Sequence, residues 1–135
     1  MSAFVFDFVI GKTCVMATDD RLEFNDGSSL SFYHNQDCCE YVDVYDVCGD
    51  LGDLIGCPLL VAEEVESDTP EEYNPAHEPE SMTWTFYKFA TIAGSVTIRW
   101  LGTSNGYYSE RVDWDYCENG KLKRSNNSWK MRKNV

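Results

Sequence analysis

Apolar and polar residues alternate in short runs over most of this chain, the two-residue period of strands that keep one face in a core. The runs fall at Phe4–Ile10, Thr13–Thr18, Arg21–Phe24, Leu30–His34, Tyr41–Val47 and Leu59–Glu64, and three longer strands are predicted within residues 84–115. Asn25-Asp26-Gly27, between two such runs, carries the residues that tolerate positive φ and predicts a hairpin turn. Only residues 49–57, GDLGDLIGC, place Leu51, Leu54 and Ile55 at helical spacing, and Pro58 ends that stretch. The expected class is α+β, mainly β: an antiparallel sheet of six or more strands with one or two short helices, forming one β-rich domain over residues 1–118.

Length and charge refine this picture. At 135 residues the chain is long enough for one core that needs no metal or disulfide. The net charge is -12, but it is unevenly spread. A C-terminal tail, residues 119–135, has Lys121, Lys123, Arg124, Lys130, Arg132 and Lys133 and no acid. Removing those six from 11 basic residues leaves five against 23 acids, a net charge of -18 over the first 120 residues. Such a body repels phosphate backbones and excludes nonspecific nucleic-acid binding. It also suits a DNA mimic that inhibits a host or defence nucleic-acid-binding protein. Residues 63–80 hold eight acids, three prolines and no Lys or Arg, which predicts a mobile acidic loop. They lack the spacing of a calcium-binding loop.

No apolar run reaches the length of about 20 residues that a membrane helix needs, and no basic region precedes the first hydrophobic residues. A cytoplasmic protein with its six cysteines as free thiols is therefore expected. His34, Cys38 and Cys39 are zinc-type ligands, but adjacent strand residues point to opposite faces and no Cys-x-x-Cys pair completes a set. A Cys–His nucleophile would need an orienting residue and an oxyanion hole that nothing in the sequence marks. No glycine-rich phosphate loop is present, so any phosphate would be held by side chains. Neither a metal, a cofactor nor a catalytic set is expected, and the chain reads as a non-enzyme.

Residues 84–115 gather Lys88, Arg99 and Arg111 with eight of the nineteen aromatic residues. A two-residue turn at Ala93-Gly94 would set Lys88 opposite Arg99, Phe89 opposite Ile98 and Tyr87 opposite Trp100. A three-residue loop, Ser104-Asn105-Gly106, would set Arg99 opposite Arg111 and keep Ile98 and Val96 against Val112 and Trp114. The product is a row, Lys88–Arg99–Arg111, across three strands. Phe86 and Tyr107 are in reach to stack on a base, and Asp113 to accept from an amino group or ribose hydroxyl. Like charges directly opposite destabilise a sheet, so the row calls for anions: either carboxylates of the same chain or a bound phosphate.

Positions 32–64, FYHNQDCCEYVDVYDVCGDLGDLIGCPLLVAEE, and 83–114, TWTFYKFATIAGSVTIRWLGTSNGYYSERVDW, resemble a family of small bacteriophage and prophage proteins and cover about half the chain. Within it the chain looks like the sponge proteins by which phages defeat Thoeris defence. That resemblance implies non-enzymatic sequestration of cyclic ADP-ribose isomers or cyclic oligonucleotides, in a homo-oligomer, within an infected bacterial host. It also implies pockets of aromatic rings and arginines, carried over here onto Phe86, Arg111 and Asp113. Lys88 and Arg99 join from the register alone, and Asn105 and Tyr107 complete the expected ligand-binding set. The acidic loop and basic tail match no part of that pattern.

Overall fold

The computed structural model of the protein describes residues 3–75 and 79–125. Ten strands lie among them: β1 (Ala3–Val5), β2 (Cys14–Ala17), β3 (Arg21–Phe24), β4 (Ser29–Tyr33), β5 (Tyr41–Cys48), β6 (Val61–Ser67), β7 (Ser81–Thr91), β8 (Gly94–Ser104), β9 (Asp113–Glu118) and β10 (Lys121–Arg124). All named pairings are antiparallel. The mainly β reading holds, but the strands form two five-stranded sheets rather than one, ordered β1-β6-β7-β8-β5 and β10-β9-β4-β3-β2.

Alternation explains the core between the sheets. One sheet contributes Leu22 and Phe24 from β3 and Leu30 and Phe32 from β4; the other contributes Tyr87 and Phe89 from β7 and Val96, Ile98 and Trp100 from β8. Phe32 meets Tyr87 at 4.1 Å between ring centroids, so the two inner faces share one apolar layer. The hairpin expected at Asn25-Asp26-Gly27 forms: Gly27 takes φ +88°, and the Asp26 carboxylate accepts the Ser28 N–H at 2.9 Å.

Several expectations need correction. No α-helix forms among the described residues. Residues 51–54 make one 3₁₀ turn capped by Asp50, because Gly52 and Gly56 leave too few helix-forming residues to propagate a longer one. The first run is a strand only to Val5; Phe6 then turns into the core, fully buried, and Asp7–Val9 winds into another 3₁₀ turn. The expected acidic loop loses residues 63–67 to β6, which pairs with both β1 and β7. The tail begins as β10, pairing with β9, and its residues beyond 125 lie outside the described ones. Cys38 and Cys39 are joined to each other rather than free, while Cys14, Cys48, Cys57 and Cys117 are free thiols. No helix among the described residues is long and apolar enough to cross a membrane.

The most consequential difference is the neighbour of β8. The β7–β8 turn falls at Ile92-Ala93, so the pairing slides by two residues: Phe86, not Lys88, stands opposite Arg99, and Lys88 stands opposite Thr97. A slip of two keeps every side chain on its face, which is why the apolar layer survives. Thr91 fixes the turn, its hydroxyl donating to the Asp53 carbonyl at 2.5 Å and accepting the Ala93 N–H at 3.1 Å. The second hairpin does not form. β8 pairs with β5, and the chain crosses after Ser104 to place β9 beside β4 in the other sheet. Gly102 permits this crossing, since a Cβ there would lie 2.5 Å from the Glu110 carbonyl oxygen. Glu110 is buried, and its carboxylate accepts hydroxyl bonds from Ser104 at 2.5 Å and Thr83 at 2.7 Å. Arg99 thus faces Asp46 of β5 instead of Arg111, and the like-charge row is avoided.

Candidate functional site

Arg99 lies on the face of its sheet turned away from the core. Its neighbours along β8, Ile98 and Trp100, point inward, so period-two alternation sends Arg99 outward. The guanidinium is largely covered, its side chain only 12% exposed. Nε donates to one Asp46 oxygen at 2.6 Å and Nη2 to the other at 2.5 Å, a bidentate fork. Nη1 donates to Glu72 at 2.7 Å. The Asp46 carboxylate, and Glu72 after it, hold the Arg99 pKa above its ordinary value, and Arg99 holds both acids below theirs.

Aromatic rings enclose this cation. Its central carbon is 5.7 Å from the Tyr45 ring centroid and 5.9 Å from that of Phe86, within cation–π range. Trp84, two residues before Phe86 on the same strand face, is 2% exposed yet stands apart from the core between the sheets. Tyr45 meets it edge-on at 5.0 Å, Tyr73 at 5.1 Å, and the two tyrosines lie 5.6 Å apart. Tyr45 reaches this position because β5 is irregular between Val44 and Asp46. Tyr73 and Glu72 come from the acidic segment after β6, which folds back over the outer face; there Thr69 donates to the Met82 sulfur at 3.4 Å.

The expected ligand-binding residues thus fall in three places. Phe86 and Arg99 come together, and Lys88 shares their face, opposite Glu63 on β6. Asn105 and Tyr107 stand at the start of the crossing segment: the Asn105 side chain accepts the Tyr107 N–H at 3.0 Å, and Tyr107 is 83% exposed. Arg111 and Asp113 belong to the other sheet's approach. The Arg111 carbonyl lies 2.7 Å from His34 Nδ1, and Asp113 is buried opposite Tyr33. Both lie within electrostatic range of Glu64, whose carboxylate accepts the Tyr87 hydroxyl at 2.6 Å. Burial raises the Glu64 pKa and Arg111 opposes that rise; burial, then Glu64, pushes the Tyr87 hydroxyl well above its usual range.

Sequence reading missed Tyr45, Asp46, Glu72, Tyr73 and Trp84. Trp84-x-Phe86 was the available signal, two large rings on the outer face of a strand whose inner face is already apolar. Tyr73 was another, as the one aromatic residue within 63–80. His34 and the two adjacent cysteines hold other partners: His34 Nε2 lies 2.8 Å from Glu40, whose carboxylate also accepts the Asp37 and Cys38 N–H groups at 2.8 and 3.0 Å. Among the described residues no group of three His, Cys, Asp or Glu side chains is placed to hold a metal ion.

The profile of one protein family, described as Domain of unknown function (DUF7448), matches residues 7–114. No curated protein and no solved structure matches the chain.

Proposed function

The chain belongs to the DUF7448 family, a domain of unknown function, and we propose from its residues that it binds and sequesters, without cleaving, an anionic nucleotide such as a cyclic ADP-ribose isomer or a cyclic oligonucleotide. One observation carries this reading: Arg99 lies between the rings of Tyr45 and Phe86 with one guanidinium edge turned to a carboxylate on an exposed segment. A planar donor fork beside aromatic rings is the equipment for holding a phosphate while a base stacks. The sponge role implied by the sequence resemblance uses the same two kinds of contact. The site takes Phe86 and Arg99 from the expected set and adds Tyr45 and Trp84; Lys88 adds positive charge on the same face.

Sequestration demands tight binding, since nanomolar affinity corresponds to about -12 kcal/mol. Several ring and guanidinium contacts acting together are consistent with that demand. The test is direct. Purified protein is incubated with extract of bacteria in which a nucleotide-signalling defence is active, washed, denatured by heat, and the released material identified by mass spectrometry. Release of an intact cyclic nucleotide supports the proposal. An altered nucleotide would instead mean catalysis, and retention of a host protein in a salt-sensitive manner would favour the DNA-mimic reading.

A further inference from the structure

We infer that residues 68–75 act as a built-in competitor for the Arg99 site, with Glu72 in the place of a ligand's anionic group and Tyr73 in the place of its flat ring. This rests on the function proposed above and names how that site is regulated.

The two carboxylates on Arg99 differ in how they are held. Asp46 belongs to β5, is fixed by the ladder opposite Arg99, and forms the bidentate fork. Glu72 belongs to no strand, its side chain is 62% exposed, and it reaches Arg99 through one oxygen. An exposed single-point ion pair contributes little to stability, so Glu72 is the carboxylate that an incoming phosphate would displace. Tyr73 follows it immediately and docks edge-on against both Tyr45 and Trp84, covering an indole that is otherwise on the outside of the sheet. Beyond these contacts the segment is tied down by the Thr69 hydroxyl on Met82, and it is turned on itself by the Tyr73 N–H donating to the Pro70 carbonyl at 3.1 Å. A negatively charged group and an aromatic ring, adjacent in sequence, thus occupy adjacent positions on the site. A ligand with a phosphate next to a purine-like ring would replace both together.

Displacement has a thermodynamic consequence. Apparent affinity is the intrinsic affinity multiplied by the fraction of molecules in which the segment is open, and removing the competitor restores it. The inference therefore requires binding to open residues 68–75, the opposite of a lid that closes on its ligand.

Hydrogen–deuterium exchange and isothermal titration on the full chain test this with wild type, Glu72→Gln, Tyr73→Ala and Arg99→Lys. Without ligand, Glu72→Gln and Tyr73→Ala should raise exchange across 68–75, and both should bind cyclic ADP-ribose roughly tenfold more tightly than wild type. Adding cyclic ADP-ribose to wild type should raise exchange in that segment. If wild type binds but 68–75 becomes more protected, or Glu72→Gln binds no better, the competitor is overturned and the nucleotide-binding role stands. Inorganic pyrophosphate separates the converse case. If it opens the segment in wild type and not in Arg99→Lys, while cyclic ADP-ribose binds no variant, the competitor stands and the nucleotide reading falls. Silence of both probes in every variant overturns both.

Discussion

Phe86 stands directly opposite Arg99 in the β7–β8 ladder, its ring centroid 5.9 Å from the guanidinium carbon. Cross-strand neighbours on one face touch whatever else the fold does, so this pair joins a ring and a cation at a site where either alone would be ordinary surface. If it holds the ligand, Phe86→Ala should abolish retention of cyclic ADP-ribose with the circular dichroism spectrum unchanged. Arg99→Lys keeps the charge but loses the planar fork and should weaken binding roughly tenfold, about 1.4 kcal/mol.

Arg111 discriminates between the two parts of the expected site. It lies on the crossing just before β9 while Arg99 pairs with Asp46 of β5, so Arg111→Ala should leave nucleotide retention within about twofold of wild type, a difference below about 0.5 kcal/mol. Loss of binding in that variant by titration would move the site to the region of Glu64, Tyr87 and Asp113.

Trp84 tests whether the outer aromatic cluster is a real packing unit. At 2% exposure it is as buried as core residues, and Trp84→Ala should cost about 3 kcal/mol in urea unfolding. Its fluorescence offers a second check, since Tyr73→Ala should shift the emission towards the red as solvent reaches the indole.

Glu110 latches the crossing between the sheets. Glu110→Ala leaves the Ser104 and Thr83 hydroxyls without their acceptor and should cost about 1–3 kcal/mol. Gly102→Ala should destabilise too, because the added methyl would meet backbone that cannot rotate away.

Two acids should titrate stability in opposite directions. The Cys38 N–H first, then His34 and the Asp37 N–H, hold the Glu40 pKa at about 2, below its ordinary 4.5. A folded value below the unfolded one adds stability that is present above 4.5 and lost as pH falls towards about 2. Burial raises Glu64 from 4.5, so its contribution is fully present below 4.5 and is lost as pH rises through the folded value. Unfolding free energies measured from acid to neutral pH should show a shallower acid decline in Glu40→Gln. Glu64→Gln should be the more stable of the two at neutral pH relative to wild type.

Much of this was written locally in the chain. The alternation of Arg21–Phe24 and Leu30–Tyr33 is visible because each apolar residue is two from the next, and Gly27 marks the turn between them because only a few residues adopt its φ. Even the face of Arg99 followed from its neighbours Ile98 and Trp100. What could not be read was which strand lies beside β8. Asp46 and Arg111 are both plausible partners for Arg99 by pattern, and they are 53 and 12 residues away in sequence. The choice fell to long-range packing: burying Val112 and Trp114 in the opposite sheet, with Glu110 satisfied on the way, leaves the edge of β8 to β5 and puts a carboxylate on Arg99. The acidic segment followed the same logic, because its composition predicts no fold of its own, and Glu72 and Tyr73 dock only on a cation and an indole that other strands bring together. Sequence by itself determined most of the strands and their faces, since these depend on residues two apart, though not β10 or the end of β1 at Val5. Tertiary structure alone decided the neighbours, because pairing edges and surface docking are settled by contacts the chain makes only after it has folded.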